Sequence, residues 1–286
     1  MIISGKDLAK KIKQGIAEKV PALVEKYGRA PHLAVILVGE DPASQSYVKS
    51  KGKDAEQVGY KSTTIRLPED TPEEELLRII GDLNADDTVD GVLVQLPVPA
   101  HIDEDRVIEA IAHEKDVDGF HPSNVASLWQ KRQCVYPCTP KGVIRMLEEA
   151  GVEIEGKRAV VIGRSNIVGL PMAKMLLDRN ATVTIAHSRT RNLAEITREA
   201  DILVAAVGRL RMVTADMVAP GAVVIDVGVN RDPETGKLAG DVDYDAVCEK
   251  ASVITPVPGG VGPMTRACLM ENTLECYLNA VNKNKQ

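Results

Sequence analysis

Aromatic and cysteine residues are scarce in this chain of 286 residues, which contains one Trp, one Phe, six Tyr and five Cys. Rings that could stack on the bases of single-stranded nucleic acid are therefore few. The cysteines are odd in number and form no CxxC pair, which fits neither a disulfide-rich scaffold nor a four-ligand zinc site. We expect reduced thiols, a cytoplasmic location and no bound metal.

Excess positive charge and long apolar runs are also missing. Lys and Arg total 35 against 41 Asp and Glu, so the formal net charge is −6, which disfavours nucleic acid as a partner. No apolar run approaches the roughly 20 residues of a membrane-spanning helix. The N-terminal segment MIISGKDLAKKIKQG lacks the apolar stretch of a signal peptide. We therefore expect binding to neither nucleic acid nor membrane.

Short apolar runs alternate with amphipathic segments along the chain, which predicts an α/β protein with parallel sheets covered by helices on both faces. Two such series occur, at 32–112 and 157–254. We therefore expect two domains, one of 1–139 plus 266–286 and a Rossmann-like one of 140–265. Strands are predicted at 32–39, 60–67, 89–97, 157–163, 181–187, 201–208, 221–228 and within 251–262, and helices at about 5–27, 41–59, 71–84, 103–112, 139–151, 166–180, 191–200 and 265–281.

The segment Gly163-Arg-Ser-Asn-Ile-Val-Gly169 lies between a predicted strand and a predicted helix. Rossmann units place phosphate groups at this position, on backbone N–H groups and a helix N-terminus. The spacing departs from GxGxxG because Ser165 replaces the middle glycine. A tight strand-to-helix turn without a ligand would have the same local pattern, so both interpretations remain open.

The end of the next predicted strand indicates which dinucleotide would bind. The segment His187-Ser188-Arg189-Thr190-Arg191 contains no acidic residue that could hold the ribose 2′-OH of NAD. With Arg164, it could instead bind the 2′-phosphate of NADP, although a solvated basic loop is the alternative. Val229, beyond a later strand, could contact the nicotinamide or pack in the core.

Lys51 is unusual in the predicted helix 41–59, because it falls inside an apolar arc when residues are placed at about 100° intervals. A lysine in a buried stripe loses hydration, which favours the neutral amine and allows proton exchange near pH 7. A lysine that extends to solvent at the helix edge is the alternative. Lys49 and Lys53 fall on the opposite side of the helix. The predicted arc contains Ala43, Tyr47, Val48, Ala55 and Val58.

Further polar residues lie at predicted strand ends and turns of the first series. Gln95 follows the apolar run of the third strand, where a neutral amide could orient a neighbour without adding charge. Asp116 and Asp118 lie in a turn after the helix 103–112. Either carboxylate could accept paired N–H groups from a polar heterocycle, and Asp116 is favoured to hydrogen-bond its own turn.

Five motifs together closely resemble the bifunctional methylenetetrahydrofolate dehydrogenase/methenyltetrahydrofolate cyclohydrolase family, over nearly the whole chain. This resemblance implies oxidation of 5,10-methylenetetrahydrofolate with NADP, hydrolysis of the methenyl product to 10-formyltetrahydrofolate, a folate cleft between two domains, and a homodimer. The motifs are Tyr47-Val-Lys-Ser-Lys51, Val94-Gln95-Leu96-Pro97, Asp116-Val-Asp118-Gly119-Phe120-His121-Pro122, Gly163-Arg-Ser-Asn-Ile-Val-Gly169-Leu-Pro171 and Pro256-Val-Pro-Gly-Gly-Val-Gly-Pro-Met-Thr265.

The resemblance also implies roles for individual residues of the first series. Lys51 is implied as the catalytic lysine, which handles proton transfer and activates the hydrolytic water. Tyr47 would stack on the folate, Gln95 would hydrogen-bond Lys51, and Asp118 would anchor the pterin ring. All four are therefore expected at the catalytic site, the last three also as substrate-binding residues.

The resemblance assigns the remaining residues to the cofactor and to the substrate loop. Three alternatives remain open on the residues alone: a dehydrogenase with little cyclohydrolase activity, a non-catalytic NADP-binding protein, and a hydroxy-acid dehydrogenase. The residues implied in NADP binding are Gly163, Arg164, Ser165, Ser188 and Val229, and those implied in the loop that lines the folate site are Pro258, Gly259 and Gly262.

Overall fold

The computed structural model describes residues 1–283, which form ten helices of the α type and ten strands. The helices are α1 (Gly5–Tyr27), α2 (Pro42–Gln57), α3 (Glu73–Ala85), α4 (Glu104–Ala110), α5 (Pro122–Trp129), α6 (Cys138–Glu149), α7 (Gly169–Leu177), α8 (Leu193–Thr197), α9 (Tyr244–Cys248) and α10 (Val261–Lys283). The strands are β1 (His32–Val38), β2 (Lys61–Leu67), β3 (Gly91–Val94), β4 (Arg158–Ile162), β5 (Thr182–Ala186), β6 (Ile202–Ala205), β7 (Val223–Asp226), β8 (Asn230–Arg231), β9 (Leu238–Ala239) and β10 (Val253–Ile254).

The chain divides into two compact units. The first unit comprises Lys11–Cys138 together with residues 266–283, and the second comprises Met1–Lys10 and Thr139–Thr265. Both units are built from parallel strands and helices, so the predicted α/β class with two domains is confirmed.

The first ten residues group with the second unit, whereas the expected division placed them with the first. The cause is backbone pairing with β10. The N–H of Ile3 donates to the carbonyl of Ile254 at 3.0 Å, and the N–H of Ile254 donates to the carbonyl of Met1 at 3.0 Å. The start of the chain therefore adds one more parallel bridge beside β10.

The first unit contains a three-stranded parallel sheet with the order β2-β1-β3. Every residue of β1 is buried, as expected for a parallel strand that is covered on both faces. On one face, Ala34, Ile36 and Val38 pack into a core that also contains Leu76 of α3 and Val107 of α4. This core fixes the carboxyl ends of β1 and β3, where Gln95 follows.

The second unit contains a five-stranded parallel sheet with the order β10-β7-β6-β4-β5. From β4, the chain proceeds outward to β5 on one side and returns to β6 on the other. Ligands of open α/β sheets bind at such a reversal of strand order, beyond the carboxyl ends of the strands. Val160, Leu203 and Val224 of the adjacent strands pack in the core beneath this edge.

Four elements were not predicted from the sequence: α5, α9, the β8–β9 hairpin and a short 3-10 helix at Ala215–Met217. α5 has a recognisable start, because Pro122 occupies its first turn and Nδ1 of His121 accepts the N–H of Ser123 at 3.0 Å. The two-residue strands of the hairpin are too short to produce an alternating pattern. None of the helices within residues 1–283 is long and apolar enough to cross a membrane.

Candidate active site

Lys51 lies on the buried face of α2, as its position in the sequence predicted. Asp41 begins this helix by accepting the N–H of Ser44 at 2.7 Å. Lys51 is only 9% exposed and shares the buried face with Val48 and Ala55. The prediction that the lysine is inside the buried stripe is therefore confirmed.

Tyr47 lies on the exposed side of α2, which corrects the predicted arc. Its side chain is 41% exposed, and Ala43 is exposed as well, because the buried face is turned toward Ser44 and Val48. Tyr47 precedes Lys51 by about one helical turn, so both side chains lie on neighbouring parts of the helix surface. An exposed ring beside a buried amine is available to contact a planar ligand, whereas a core tyrosine would not be.

Gln95 meets Lys51 through a direct hydrogen bond. Nζ of Lys51 donates to Oε1 of Gln95 at 2.9 Å. The backbone N–H of Gln95 donates to the carbonyl of Ile36 at 2.9 Å, which extends the pairing of β1 and β3 by one residue. Nε2 of Gln95 donates to the carbonyl of Leu96 at 2.7 Å, so the amide oxygen is turned toward the lysine. Lys51 thus faces an acceptor without net charge.

Asp116 stabilises its own turn, as favoured from the sequence. Its carboxylate accepts the N–H of Gly119 at 3.0 Å, the N–H of His121 at 2.8 Å and Nδ2 of Asn124 at 2.9 Å. With its acceptor sites directed to the chain, Asp116 defines the conformation of the segment that contains Asp118.

Asp118 lies near Lys51 and in a poorly hydrated environment. Burial raises the pKa of the Asp118 carboxyl group, and the positive charge of Lys51 opposes this rise. The negative charge of Asp116 adds to the rise, and a hydrogen bond from Cys138 opposes it. Asp118 and Asp116 line a small cavity whose other walls are apolar: Val92, Leu93, Val94, Leu96, Val107, Ile108, Ile111 and Phe120.

Asn272 of α10 supports the Asp118 segment and was missed in the sequence. Its side chain is fully buried, and Nδ2 donates to the carbonyl of Val117 at 2.8 Å and to that of Tyr136 at 2.9 Å. A carboxamide among apolar helix positions was the signal that could have revealed it. Asn272 therefore connects the turn that contains Asp118 to the segment of Tyr136, which precedes α6.

In the second unit, Gly163 follows β4 at the reversal of strand order. Its φ angle is +124°, and a Cβ atom there would lie 2.2 Å from the carbonyl oxygen of Ala206, which follows β6. Only glycine permits this close approach. α7 begins six residues later, at Gly169, so residues 163–169 form the tight turn that precedes a helix N-terminus.

The side chains of Arg164, Ser165 and Ser188 are exposed beside this turn. Arg164 and Ser165 follow Gly163, and Ser188 follows β5, the neighbour of β4. Oγ of Ser165 accepts the N–H of Gly169 at 3.3 Å, so this serine also supports the start of α7. These residues lie beyond the carboxyl ends of adjacent strands, where a dinucleotide binds in such sheets.

Val229 and the loop after β10 complete the predicted residues of the second unit. Val229 follows β7 and is 45% exposed, so it does not pack in the core. Pro258 and Gly259 follow β10, and the carbonyl of Gly259 accepts the N–H of Lys6 at 3.0 Å. Gly262 lies in the first turn of α10 rather than in a loop, because this helix begins at Val261, earlier than predicted.

Family models match both parts of the chain. The model of the tetrahydrofolate dehydrogenase/cyclohydrolase catalytic domain matches residues 3–118, and that of the tetrahydrofolate dehydrogenase/cyclohydrolase NAD(P)-binding domain matches residues 137–281. The bifunctional protein FolD of Streptococcus pneumoniae is 56% identical over 282 residues, which is 99% of each chain.

Solved structures agree with this match. The bifunctional FolD dehydrogenase/cyclohydrolase of Campylobacter jejuni has a TM-score of 0.95 and 50% identity, covering 98% of this chain and 99% of its own. The dehydrogenase-cyclohydrolase of Trypanosoma brucei, solved with an NADP cofactor and an inhibitor, has a TM-score of 0.95 and 40% identity over 98% of each chain. With two family models and such relatives along its length, the chain belongs to the tetrahydrofolate dehydrogenase/cyclohydrolase family.

Proposed function

We propose that Lys51 is the general base for the hydrolytic reaction of this bifunctional enzyme. The enzyme oxidises 5,10-methylenetetrahydrofolate to the methenyl form with NADP⁺ and hydrolyses the methenyl form to 10-formyltetrahydrofolate. The first unit would bind folate and the second would bind the dinucleotide. The observation that carries this proposal is a buried lysine whose Nζ donates to a neutral amide oxygen.

Hydrolysis of the methenyl cation requires a water that has lost a proton as it attacks the carbon between the two nitrogens. In the proposed mechanism, Lys51 accepts this proton as the general base, and the hydroxyl adduct that forms then collapses to the formyl group as the bond from its carbon to N5 breaks and N5 takes up a proton. The amide oxygen of Gln95 accepts from Nζ and holds it in place, and this acceptor carries no negative charge. A carboxylate at the same place would favour the ammonium ion instead.

Tyr47 and Asp118 would orient the folate. The exposed ring of Tyr47 can stack on the planar pterin, and the carboxylate of Asp118 can accept paired N–H groups from its edge. Because Asp116 and Asn272 fix the segment around Asp118, the anchor is positioned before substrate arrives. Such positioning supplies much of the rate when a hydride moves between two bound rings.

Residues of the second unit fit a dinucleotide. The absence of a side chain at Gly163 lets the turn approach Ala206, and α7, whose N-terminal N–H groups could bind a pyrophosphate, begins at the end of this turn. When bound, NADP⁺ accepts the hydride from the methylene carbon. We assign Arg164, Ser165 and Ser188 to the phosphate groups and Val229 to the nicotinamide.

We assign Pro258 and Gly259 of the loop after β10, together with Gly262 in the first turn of α10, to the substrate site on the basis of the family resemblance of their motif. We further propose that the enzyme is a cytoplasmic homodimer. The cysteine composition supports the location, and the family resemblance supports the dimer. Light scattering of the purified protein during size-exclusion chromatography would give a mass of one chain, 30.8 kDa, if the dimer proposal is wrong.

The test of the function is a comparison of Lys51→Ala with Lys53→Ala, an exposed lysine on the same helix. Reduced cofactor and the methenyl chromophore are followed separately after mixing with 5,10-methylenetetrahydrofolate and NADP⁺. We expect Lys51→Ala to abolish hydrolysis and to retain NADP binding, whereas Lys53→Ala retains both. Normal hydrolysis by Lys51→Ala, or loss of its NADP binding, would contradict the role assigned to the lysine.

A further inference from the structure

Two short segments of the second unit each contain one glycine and one buried aspartate: Asp226-Val-Gly228 at the end of β7 and Gly240-Asp-Val242 after β9. Each supplies a buried carboxylate that approaches the glycine of the other. A Cβ atom on Gly228 would lie 2.1 Å from Oδ1 of Asp241, and one on Gly240 would lie 1.7 Å from Oδ2 of Asp226. Both segments therefore depend on glycine opposite an aspartate.

Asp241 is completely buried and uses both oxygens as hydrogen-bond acceptors. Oδ2 accepts the N–H of Val207 at 2.7 Å and that of Gly208 at 3.0 Å. Oδ1 accepts the N–H of Arg209 at 2.8 Å and Nδ2 of Asn230 at 2.9 Å. A carboxylate offers about four acceptor positions, and all are filled here. The Asp241 side chain thus accepts hydrogen bonds from the three consecutive N–H groups of residues 207–209 and from the side-chain amide of Asn230.

Asp226 in turn fixes the segment that contains Asp241. Its carboxylate accepts the N–H groups of Gly228, Asp241 and Val242, each at 3.0 Å. Burial raises the pKa of Asp226 to about 6, against the opposing effect of these N–H groups. The backbone of Asp241 is therefore held at the end of β7 while its side chain reaches the loop after β6.

The two segments that Asp241 connects are both part of the edge assigned to the dinucleotide. The loop 207–209 directly follows Ala206, whose carbonyl oxygen lies against Gly163 of the turn 163–169. Asn230 directly follows Val229, which is exposed at the same edge. A change in the loop or in the segment after β7 would thus alter the surface that the cofactor contacts.

We propose that Asp241 is a positioning residue for the NADP site, which holds the loop 207–209 and the segment containing Val229 in their binding conformation. This inference rests on the proposed assignment of the second unit to NADP. Asp241 itself need not touch the cofactor. Its removal would leave three consecutive N–H groups without their acceptor, so the loop would adopt another conformation.

The test compares Asp241→Asn with Asp243→Asn, in which the same change is made two residues away at a side chain that makes no capping hydrogen bond. An asparagine retains one acceptor oxygen and presents an NH₂ group to N–H donors, so about half of the contacts are lost. NADP binding is measured by titration calorimetry without folate, and cyclohydrolase activity is measured without NADP.

We expect the dissociation constant for NADP to rise at least about tenfold in Asp241→Asn, with the hydrolysis rate and the KM for folate unchanged. Asp243→Asn should match the wild type in all three measurements. Wild-type affinity in a folded Asp241→Asn protein would overturn the inference, and so would an equal loss of hydrolysis, since that indicates a general structural role. Failure of the wild type to bind NADP would instead refute the proposed function.

If Asp241→Asn does not fold, Asn230→Ala decides the question. This change removes a single donor to Asp241 and leaves the three backbone N–H groups in place. A several-fold weaker binding of NADP with normal hydrolysis is expected. Unchanged NADP affinity would show that the connection between the two segments does not position the site.

Discussion

Substitution of Gly163 by alanine should separate the two activities. The added Cβ atom would lie 2.2 Å from the carbonyl oxygen of Ala206, and Cβ contacts under 3.0 Å essentially do not occur. The turn 163–169 and the segment of Ala206 must therefore separate by at least 0.8 Å (3.0 − 2.2). A displacement of about 1 Å can reduce a rate by about 10²-fold. We expect a loss of about this size in dehydrogenase kcat/KM, with hydrolysis retained.

Gly156→Ala is the matched control for this change. Gly156 belongs to the same unit and has a positive φ of +72°, but a Cβ atom there would meet nothing within 4 Å. Gly156→Ala should lose about 1–2 kcal/mol of unfolding free energy from the left-handed backbone, measured by urea denaturation, and Gly163→Ala should lose more because the clash with Ala206 is added. Only Gly163→Ala should also lose NADP binding. Equal NADP binding by the two variants would refute the steric explanation.

Three further predictions concern charge. Gln95→Glu should reduce the rate of hydrolysis by about 10²-fold or more, because a carboxylate beside Nζ of Lys51 would favour the ammonium ion, which cannot act as a base. The same change at the exposed Gln130 should leave the rate of hydrolysis unchanged. Normal hydrolysis by Gln95→Glu would contradict the role of Lys51 as the base. Arg164→Ala and Ser188→Ala should each weaken binding of NADP more than that of NAD in calorimetric titrations, and equal weakening would remove the proposed 2′-phosphate contacts. Burial lowers the pKa of His32, whose Nδ1 lies 3.0 Å from the carbonyl of Thr88. The unfolded chain therefore binds the proton more readily, and stability should fall as the pH drops below the ordinary value of 6.5 toward the lowered pKa. His32→Gln should flatten this part of the profile in chemical denaturation at several pH values.

Local patterns were sufficient for much of the fold. Periodicity predicted the parallel strands, the helices between them and the burial of Lys51, because helix and strand geometry repeat over a few residues. The glycine spacing predicted the turn at Gly163, because a close approach of two backbone segments requires glycine and glycine is visible in the sequence. Short elements such as α9, with five residues, and the two-residue strands of the β8–β9 hairpin were missed because they are too short to show a repeating pattern.

Long-range pairing is where the sequence was least informative. The position of Tyr47 on the exposed side of α2 depends on which neighbours cover the helix, and the first ten residues join the second unit through pairing with β10. Neither follows from the pattern of one segment. For the first ten residues, the deciding partner is distant along the chain.

The sequence by itself determined the α/β class, the two series of elements and, through five ordered motifs, the family. Only the tertiary structure decided that Gln95 turns its amide oxygen to Lys51, that Asn272 supports the Asp118 segment, and that Asp241 gathers the N–H groups of the loop 207–209. The physical reason is that a buried polar group must find a partner of the right geometry, and that partner can lie anywhere in the chain. Periodicity records which side chains are buried, whereas the folded backbone determines which of them meet.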